Sequence, residues 1–356
     1  MGGIARDQHI DRIRAYPMVV LLLPLVAAIL IWDRFDPLRE GWQKRDPNAL
    51  QTGLYKRLSD SRLSGDELAT VGALTLGYKE ELPPELRTHF QASGAAHVLA
   101  VSGLHTGILY GLVVWLLTLG GRLRPMHENV VGRVALGTVI IGVMWGYAWL
   151  TGMTPSVVRA VLMVTIFEVG RMLYRQAFSL NTIAAAAVLI LLAKPSDLWN
   201  VSFQLSFAAT FMIVLVAREC EKRLHRHEWR ETWYGRALSW VIGTVIISIA
   251  AQLGTLAISM YYFHQISTYF LLANLIVLPI AALLVPCGLL SLALGGSIAG
   301  IWVSKVTGVL AWTMNHSVAW IESLPGSTVY VDIGGGMVAV YYGILLLFGF
   351  FFTKSK

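Results

Sequence analysis

The chain has 356 residues, of which 56% are hydrophobic and 14% charged, and its formal net charge is +7. Soluble proteins carry about 25% charged residues, so this composition excludes an ordinary soluble domain. The positive charge does not by itself indicate nucleic-acid binding, because basic residues also gather in cytoplasmic loops of membrane proteins. Cys220 and Cys287 lie far apart and predict neither a disulfide framework nor a zinc site.

Apolar runs long enough to approach or exceed a bilayer crossing recur along the whole chain. They predict ten transmembrane spans, at about residues 16–32, 96–119, 131–150, 156–170, 179–193, 201–217, 237–261, 267–294, 298–321 and 337–352. The first run is not followed by a small-residue cleavage site, so residues 1–32 are predicted to form a retained N-terminal anchor helix. The fold class expected is all-α, a polytopic membrane helix bundle of about ten transmembrane helices.

The distribution of basic residues predicts the orientation of these spans. With the N-terminus inside, the inside segments carry Arg6, Arg12, Arg14, Arg122, Arg124, Arg133, Arg171, Arg175, Arg218, Lys222, Arg223, Arg226, Arg230, Arg236, Lys354 and Lys356. The short outside loops carry only Lys194. This asymmetry follows the positive-inside rule and predicts that both termini are cytoplasmic.

Residues 33–95 form a predicted extracytoplasmic segment that is too long to be a turn. Ser64 and Glu67 have the spacing of a capping box, and the apolar residues after them repeat at helical spacing. The pattern predicts an amphipathic helix on the outer membrane face. The alternative is a helix packed against other parts of the protein. Residues 96–356 then form the transmembrane core.

Polar residues inside the predicted spans are the candidate functional residues, because buried polar groups in a membrane are costly unless they are paired. They are Ser102, His105, Arg159, Gln204, Gln252 and Asn274, and Gly103 joins them because small residues allow close helix approach. The predicted topology places these residues in the outer half of the bilayer, which suggests a vestibule open to the exterior. Alternative interpretations are hydrogen bonds between helices for Gln204, Gln252 and Asn274, and an Arg159 side chain that reaches the lipid headgroups. Glu168 and Arg171 have the spacing of a structural ion pair.

Signatures of catalysis and of cofactor binding are missing from the sequence. Ser102 and His105 suggest a serine protease, but neither a base on a facing element nor an oxyanion hole is recognisable. No zincin motif follows His127, and no phosphate-binding loop is present. His97 and His105 are poorly spaced for a metal pair. We therefore expect no enzymatic activity, metal or cofactor.

Four motifs together resemble the ComEC competence family. They are HVLAVSGLHTG within residues 96–107, PSVVRA at residues 155–160, FQLSF at residues 203–207, and Asn274 followed by Pro279. The resemblance extends over about residues 63–352. It implies a channel in the bacterial inner membrane that imports single-stranded DNA during natural transformation. It also implies a helicase-like cytoplasmic ATPase and an extracytoplasmic DNA receptor as partners. The candidate residues would then line the channel or its gating helices.

Full-length family members usually carry an extracytoplasmic oligonucleotide-binding barrel and often a metallo-β-lactamase-like domain. About sixty residues occupy the first position here, so we expect this chain to represent the transmembrane core. Two other functions stay open from the sequence. One is a small-molecule or ion permease with an occluded site between broken helices. The other is a non-transporting membrane subunit of a split DNA-uptake system.

Overall fold

The computed structural model describes residues 49–61, 63–99, 101–118, 130–173, 180–224 and 232–354. The predicted anchor helix at residues 1–32 lies outside the described residues. The described elements, in chain order, are α1 (Ala49–Ser59), α2 (Gly65–Leu76), α3 (Pro84–Ala92), α4 (Ala96–Leu99), α5 (Gly103–Leu117), α6 (Val130–Leu150), α7 (Pro155–Met172), α8 (Leu180–Ala193), a 3-10 helix (Pro195–Trp199), α9 (Val201–Leu224), α10 (Trp233–Phe263), β1 (Gln265–Ser267), α11 (Phe270–Leu294), α12 (Ile298–Glu322), β2 (Thr328–Tyr330) and α13 (Gly335–Lys354). The fold is therefore all-α apart from one short antiparallel ladder.

Helical hairpins form the framework of the bundle. The α9–α10 pair packs so closely that a Cβ added at Gly254 would lie 2.5 Å from the Ala208 carbonyl oxygen. In the α11–α12 pair, the hydroxyls of Ser291 and Thr307 are 3.1 Å apart and buried. The α13 helix packs on α10, where the Tyr342 hydroxyl donates to the Gly254 carbonyl at 2.7 Å. Close backbone approach at small residues is a common basis of helix association in membranes.

The α2 helix lies inside the largest hydrophobic core and not on the membrane surface. Every residue from Leu68 to Leu76 is buried, and this stretch packs in one cluster with residues of α11 and α12. Thr70 Oγ1 donates a buried hydrogen bond to Asn315 Oδ1 at 2.8 Å. The predicted membrane-surface position is therefore wrong, and the alternative of a helix packed on protein is correct. Its apolar side chains fit a protein core as well as a lipid surface, so periodicity alone did not separate the two.

The start of α2 also differs from the expected capping box. Ser64 has the extended backbone of an N-cap residue, but its side chain makes no capping hydrogen bond. A capping box occurs instead at the start of α5, where Ser102 precedes His105. This cap divides the predicted span 96–119 into α4 and α5, which the continuous apolar composition concealed.

Within the described residues, three helices are long and apolar enough to cross a membrane, namely α6, α10 and α11. Shorter apolar helices occupy Gly103–Leu117, Leu180–Ala193, Val201–Val216 and Gly335–Leu345. Many large apolar side chains on these helices are exposed, among them Trp149 at 64% and Val340 at 63%. Such surfaces are typical of proteins that contact lipid, and they indicate membrane association. The ten-span count and the cytoplasmic termini stay predictions.

Candidate functional site

The start of α5 is fixed by Ser102 and His105. The Ser102 hydroxyl accepts from the Leu104 N–H at 3.3 Å, and His105 Nδ1 accepts from the Ser102 N–H at 3.2 Å. In a neutral imidazole this leaves the proton on Nε2. The His105 side chain is fully buried, and its Nε2 has no hydrogen-bond partner among the described residues. Leaving a buried donor without a partner costs about 1–3 kcal/mol of folding free energy, which makes His105 a candidate functional residue.

Arg159 joins the starts of α7 and α9. Its Nη2 donates to the carbonyl oxygen and to the hydroxyl of Ser202, both at 2.8 Å, and to the Ser156 hydroxyl at 3.2 Å. The two serine hydroxyls are themselves 3.3 Å apart. Arg159 is 2% exposed, so it is enclosed by protein and does not reach toward headgroups. The snorkelling interpretation is therefore wrong.

The guanidinium of Arg159 is only partly paired. Its Nε and Nη1 are buried and have no hydrogen-bond partner within the described part of the chain. A cation enclosed in an apolar bundle requires several partners to offset the loss of hydration. Two unpaired donors beside two helix N-termini favour an anionic ligand, and the nearby carboxylate of Asp197 offsets part of this positive charge.

The start of α7 lies next to the starts of both α5 and α9, because Gly103 of α5 approaches Ala160 of α7, and Arg159 of α7 bonds Ser202 of α9. A Cβ added at Gly103 would lie 4.0 Å from Ala160 Cβ. Gly103, Pro155 and Ser202 are exposed. We call these three residues the rim of the helix starts, and the buried Arg159 contacts Ser202 of this rim. We call Ser102, Gly103, His105, Arg159 and Ser202 the helix-start cluster.

Gln204 fixes the start of α9 next to this cluster. Its Nε2 donates to the Leu198 carbonyl at 3.0 Å, which ties α9 to the preceding 3-10 helix. Asn200 Oδ1 accepts from the Ser202 N–H at 2.9 Å and so caps the first turn of α9. Gln204 therefore holds the position of Ser202 and bonds within its own connection, not between two long helices.

Asn274 and Gln252 belong to a second group on α10 and α11. Asn274 Nδ2 donates to Ser248 Oγ at 3.0 Å, which is the interhelical hydrogen bond given as an alternative from the sequence. Gln252 lies four residues after Ser248 and therefore on the same face of α10. The seven sequence-predicted residues thus divide between the helix-start cluster with its support and this α10–α11 group.

The Glu168–Arg171 ion pair predicted from spacing is confirmed. Arg171 Nε and Nη2 donate to Glu168 Oε2 at 2.9 and 2.6 Å. The sequence did not reveal Tyr110 of α5, whose hydroxyl donates to Glu168 Oε1 at 2.6 Å. Glu168 is fully buried, and the hydrogen bond from Tyr110 makes it a link between α5 and α7.

Within the residues that the structure describes, no group of three or more His, Cys, Asp or Glu side chains could hold a metal ion. Ser202, Tyr110 and Ser248 are the contact residues that sequence reasoning missed. Ser202 lies two residues before Gln204 in the polar start of α9, and this polarity was the available signal.

Comparison with known proteins places these helices in a family. The competence protein family matches residues 74–356. ComE operon protein 3 of Bacillus subtilis is 30% identical over 303 residues, which cover 83% of this chain and 34% of the relative. Recombination protein 2 of Haemophilus influenzae is 22% identical over 286 residues, which cover 77% of this chain and 34% of the relative.

The curated relatives are longer proteins. The chain spans about a third of the length of the two named above. The uncharacterized protein YcaI of Escherichia coli is 25% identical over 219 residues, which are 60% of this chain and 27% of that protein. No solved structure matches the chain. The family match covers both the helix-start cluster and the α10–α11 group, and this chain belongs to the competence protein family.

Proposed function

We propose that this chain is the multi-pass transmembrane core of a channel in the bacterial inner membrane that passes single-stranded DNA during natural transformation. Membership of the competence protein family supports a role in DNA uptake. The proposal adds the transported strand, the membrane and the channel to that coarser role. It assigns transport and not catalysis to the chain.

The incompletely paired guanidinium of Arg159 is the observation that carries this proposal. Two of its nitrogens are buried without a partner among the described residues, and the third contacts the exposed rim residue Ser202. Single-stranded DNA presents a phosphate at every nucleotide, and an arginine binds phosphate through charge-assisted hydrogen bonds. A phosphate would offer the unused donors of Arg159 the acceptors that the surrounding protein does not supply.

The contacts of Arg159 suggest how such a channel stays closed. The two 2.8 Å hydrogen bonds to Ser202 hold the start of α9 against α7. In the proposed mechanism an incoming phosphate competes with Ser202 for the guanidinium, and α9 separates from α7. His105 at the start of α5 would offer its Nε2–H to the same strand.

Transport in one direction needs an energy source and a protein that delivers the DNA to the channel. The sequence contains no phosphate-binding loop for nucleotide hydrolysis. The proposed partners are a helicase-like cytoplasmic ATPase and an extracytoplasmic DNA receptor. We propose further that both termini of the chain face the cytoplasm, which places the rim of the helix starts on the side where DNA arrives.

Complementation of a competent bacterium whose own channel gene is deleted tests the proposal. We expect the wild-type chain to restore transformation, and Arg159→Ala and His105→Ala to reduce it at equal membrane expression. Ser206→Ala is the matched control, because Ser206 lies one turn beyond Ser202 on the same helix. A wild-type chain that inserts correctly but restores no transformation would contradict the proposal.

The break between α4 and α5 favours a second candidate, a permease for a small anion. Transporters place the starts of discontinuous helices at their substrate sites, and α5 begins at such a break beside His105. A permease would take up a small anion in vesicles and exclude DNA. The same Arg159→Ala variant would then abolish anion uptake and leave transformation unchanged.

A further inference from the structure

A polar cleft lies at the end of the bundle that carries the α10–α11 and α12–α13 connections. Its volume is about 330 Å³, and its walls include Thr88 and Gln91 of α3, Gln265 of β1, Glu322 of α12, and Thr328 and Tyr330 at β2. This volume lies within the range of sites for small molecules, about 300–1,000 Å³. None of these residues belongs to the helix-start cluster.

The short ladder places an amide and an aromatic ring side by side in this cleft. Gln265 and Tyr330 are direct partners in the antiparallel pairing of β1 with β2, and residues paired in this way point to the same face of a ladder. Tyr330 is 79% exposed, so its ring is available to a ligand. An exposed ring with adjacent amide groups can stack a flat heterocycle and bond its edge.

Among the described residues, one carboxylate lines the cleft, and it argues against a bound phosphate inside it. Glu322 lines the wall and forms an ion pair with His89 of α3. An anion would meet this carboxylate at close range, whereas an uncharged ring would not. The ligand chemistry that fits is therefore a neutral, planar, hydrogen-bonding group.

Two basic residues lie close to the cleft, Lys79 before α3 and Arg87 on it, and the exposed acidic residues Glu80, Glu81 and Glu85 belong to the same stretch. Arg87 lies four residues before Gln91, on the same face of the helix. Arg87 Nη2 donates to the Lys79 carbonyl at 3.5 Å, and both residues are exposed. A strand whose base enters the cleft would bring its phosphates within reach of Lys79 and Arg87, and the neighbouring carboxylates would weaken that attraction.

We propose that this cleft binds one nucleobase of single-stranded DNA, with Tyr330 as the stacking surface, Gln91 and Gln265 at the base edge, and Lys79 and Arg87 on the adjacent phosphates. This inference rests on the proposed function, and it adds a nucleotide-docking site away from the helix-start cluster. Combining stacked bases with a basic track is how single-stranded nucleic acid is bound without sequence preference.

Fluorescence anisotropy of labelled oligothymidine with the full chain in lipid nanodiscs tests this site. We expect Tyr330→Ala to weaken binding by about 5- to 150-fold, the range for loss of one base–aromatic stack. An abasic strand of equal length should bind wild type and Tyr330→Ala equally. Arg87→Ala should weaken binding of both strands. The control is Tyr234→Ala, the same substitution at an exposed tyrosine at the start of α10.

Binding that Tyr330→Ala leaves unchanged, or a wild-type chain that binds no oligothymidine, would overturn the site. Failure of this inference can be distinguished from failure of the proposed function. If Tyr330→Ala binds DNA and supports transformation as the wild type does, the nucleotide site is rejected and the proposed channel function stands. If Tyr330→Ala loses DNA binding but the wild-type chain supports no transformation, the nucleotide site stands and the proposed channel function is rejected.

Discussion

Replacing Ser202 with alanine distinguishes two roles for the contact between α7 and α9: a latch that opens during transport, and a permanent support of the fold. The substitution removes the hydroxyl that accepts from Arg159 Nη2 at 2.8 Å, and it keeps the bond to the Ser202 carbonyl oxygen at the same distance. A hydrogen bond to a charged group contributes about 1.5–3 kcal/mol. Losing it would shift a closed–open equilibrium by roughly 10- to 150-fold toward the open state.

The expected result is opposite in sign to that of removing Arg159. Ser202→Ala should raise the ion conductance of the chain in planar bilayers and should retain or raise DNA uptake, because α9 separates from α7 more easily. Arg159→Ala should lower DNA uptake because the side chain that binds the phosphate is lost. Ser206→Ala on the same helix should change neither conductance nor uptake.

Equal loss of uptake in Ser202→Ala and Arg159→Ala, with no rise in conductance, would refute this reasoning. The contact between α7 and α9 would then be a fixed support of the fold. Comparing the unfolding temperatures of the two variants in detergent gives an independent check, since a support would lower both.

Three further predictions concern the packing that positions the site. Glu168→Ala should destabilise the chain more than Tyr110→Phe, because it removes all three hydrogen bonds of the carboxylate and not one, while Tyr110→Phe should cost about 1.5–3 kcal/mol; thermal unfolding in detergent measures both. Gly254→Ala should cost about 1–3 kcal/mol through overpacking, since its Cβ would lie 2.5 Å from a carbonyl oxygen of α9. Gly243→Ala on the same helix meets nothing within 4 Å and should leave the unfolding temperature unchanged or raise it. Gly94→Ala should distort the polar cleft and weaken oligothymidine binding, because its φ is +88° and its Cβ would meet side chains of the β1–α11 connection within 3.0 Å. A stable Gly254→Ala variant, or equal effects of Glu168→Ala and Tyr110→Phe, would contradict the packing described.

Sequence reasoning succeeded where the signal is local. The Glu168–Arg171 pair could be predicted because three residues along a helix bring the two side chains to one face. The apolar runs likewise indicated nine of the helices, within a few residues at most ends. The polar starts of α7 and α9 were recognised as functional candidates because Arg159 and Gln204 stand out in apolar surroundings.

It failed where the answer depends on distant contacts. Tyr110 lies 58 residues from Glu168, and no local pattern links them. The break at Ser102 was hidden because a histidine in place of the usual Glu or Gln completes the capping box. The burial of α2 depends on Asn315 and α12, some 245 residues away. The grouping of Arg159 with Ser202 likewise arises only when α7 packs against α9.

Transport of single-stranded DNA by the purified chain tests the central claim most directly. The chain would be reconstituted in liposomes that contain a single-strand-binding protein, and entry of labelled oligothymidine would be compared with that of a labelled duplex. The account predicts entry of the single strand, exclusion of the duplex and loss of entry in Arg159→Ala. A wild-type chain that is inserted and folded but admits no single strand, or an Arg159→Ala chain that admits it at the same rate, would contradict the account.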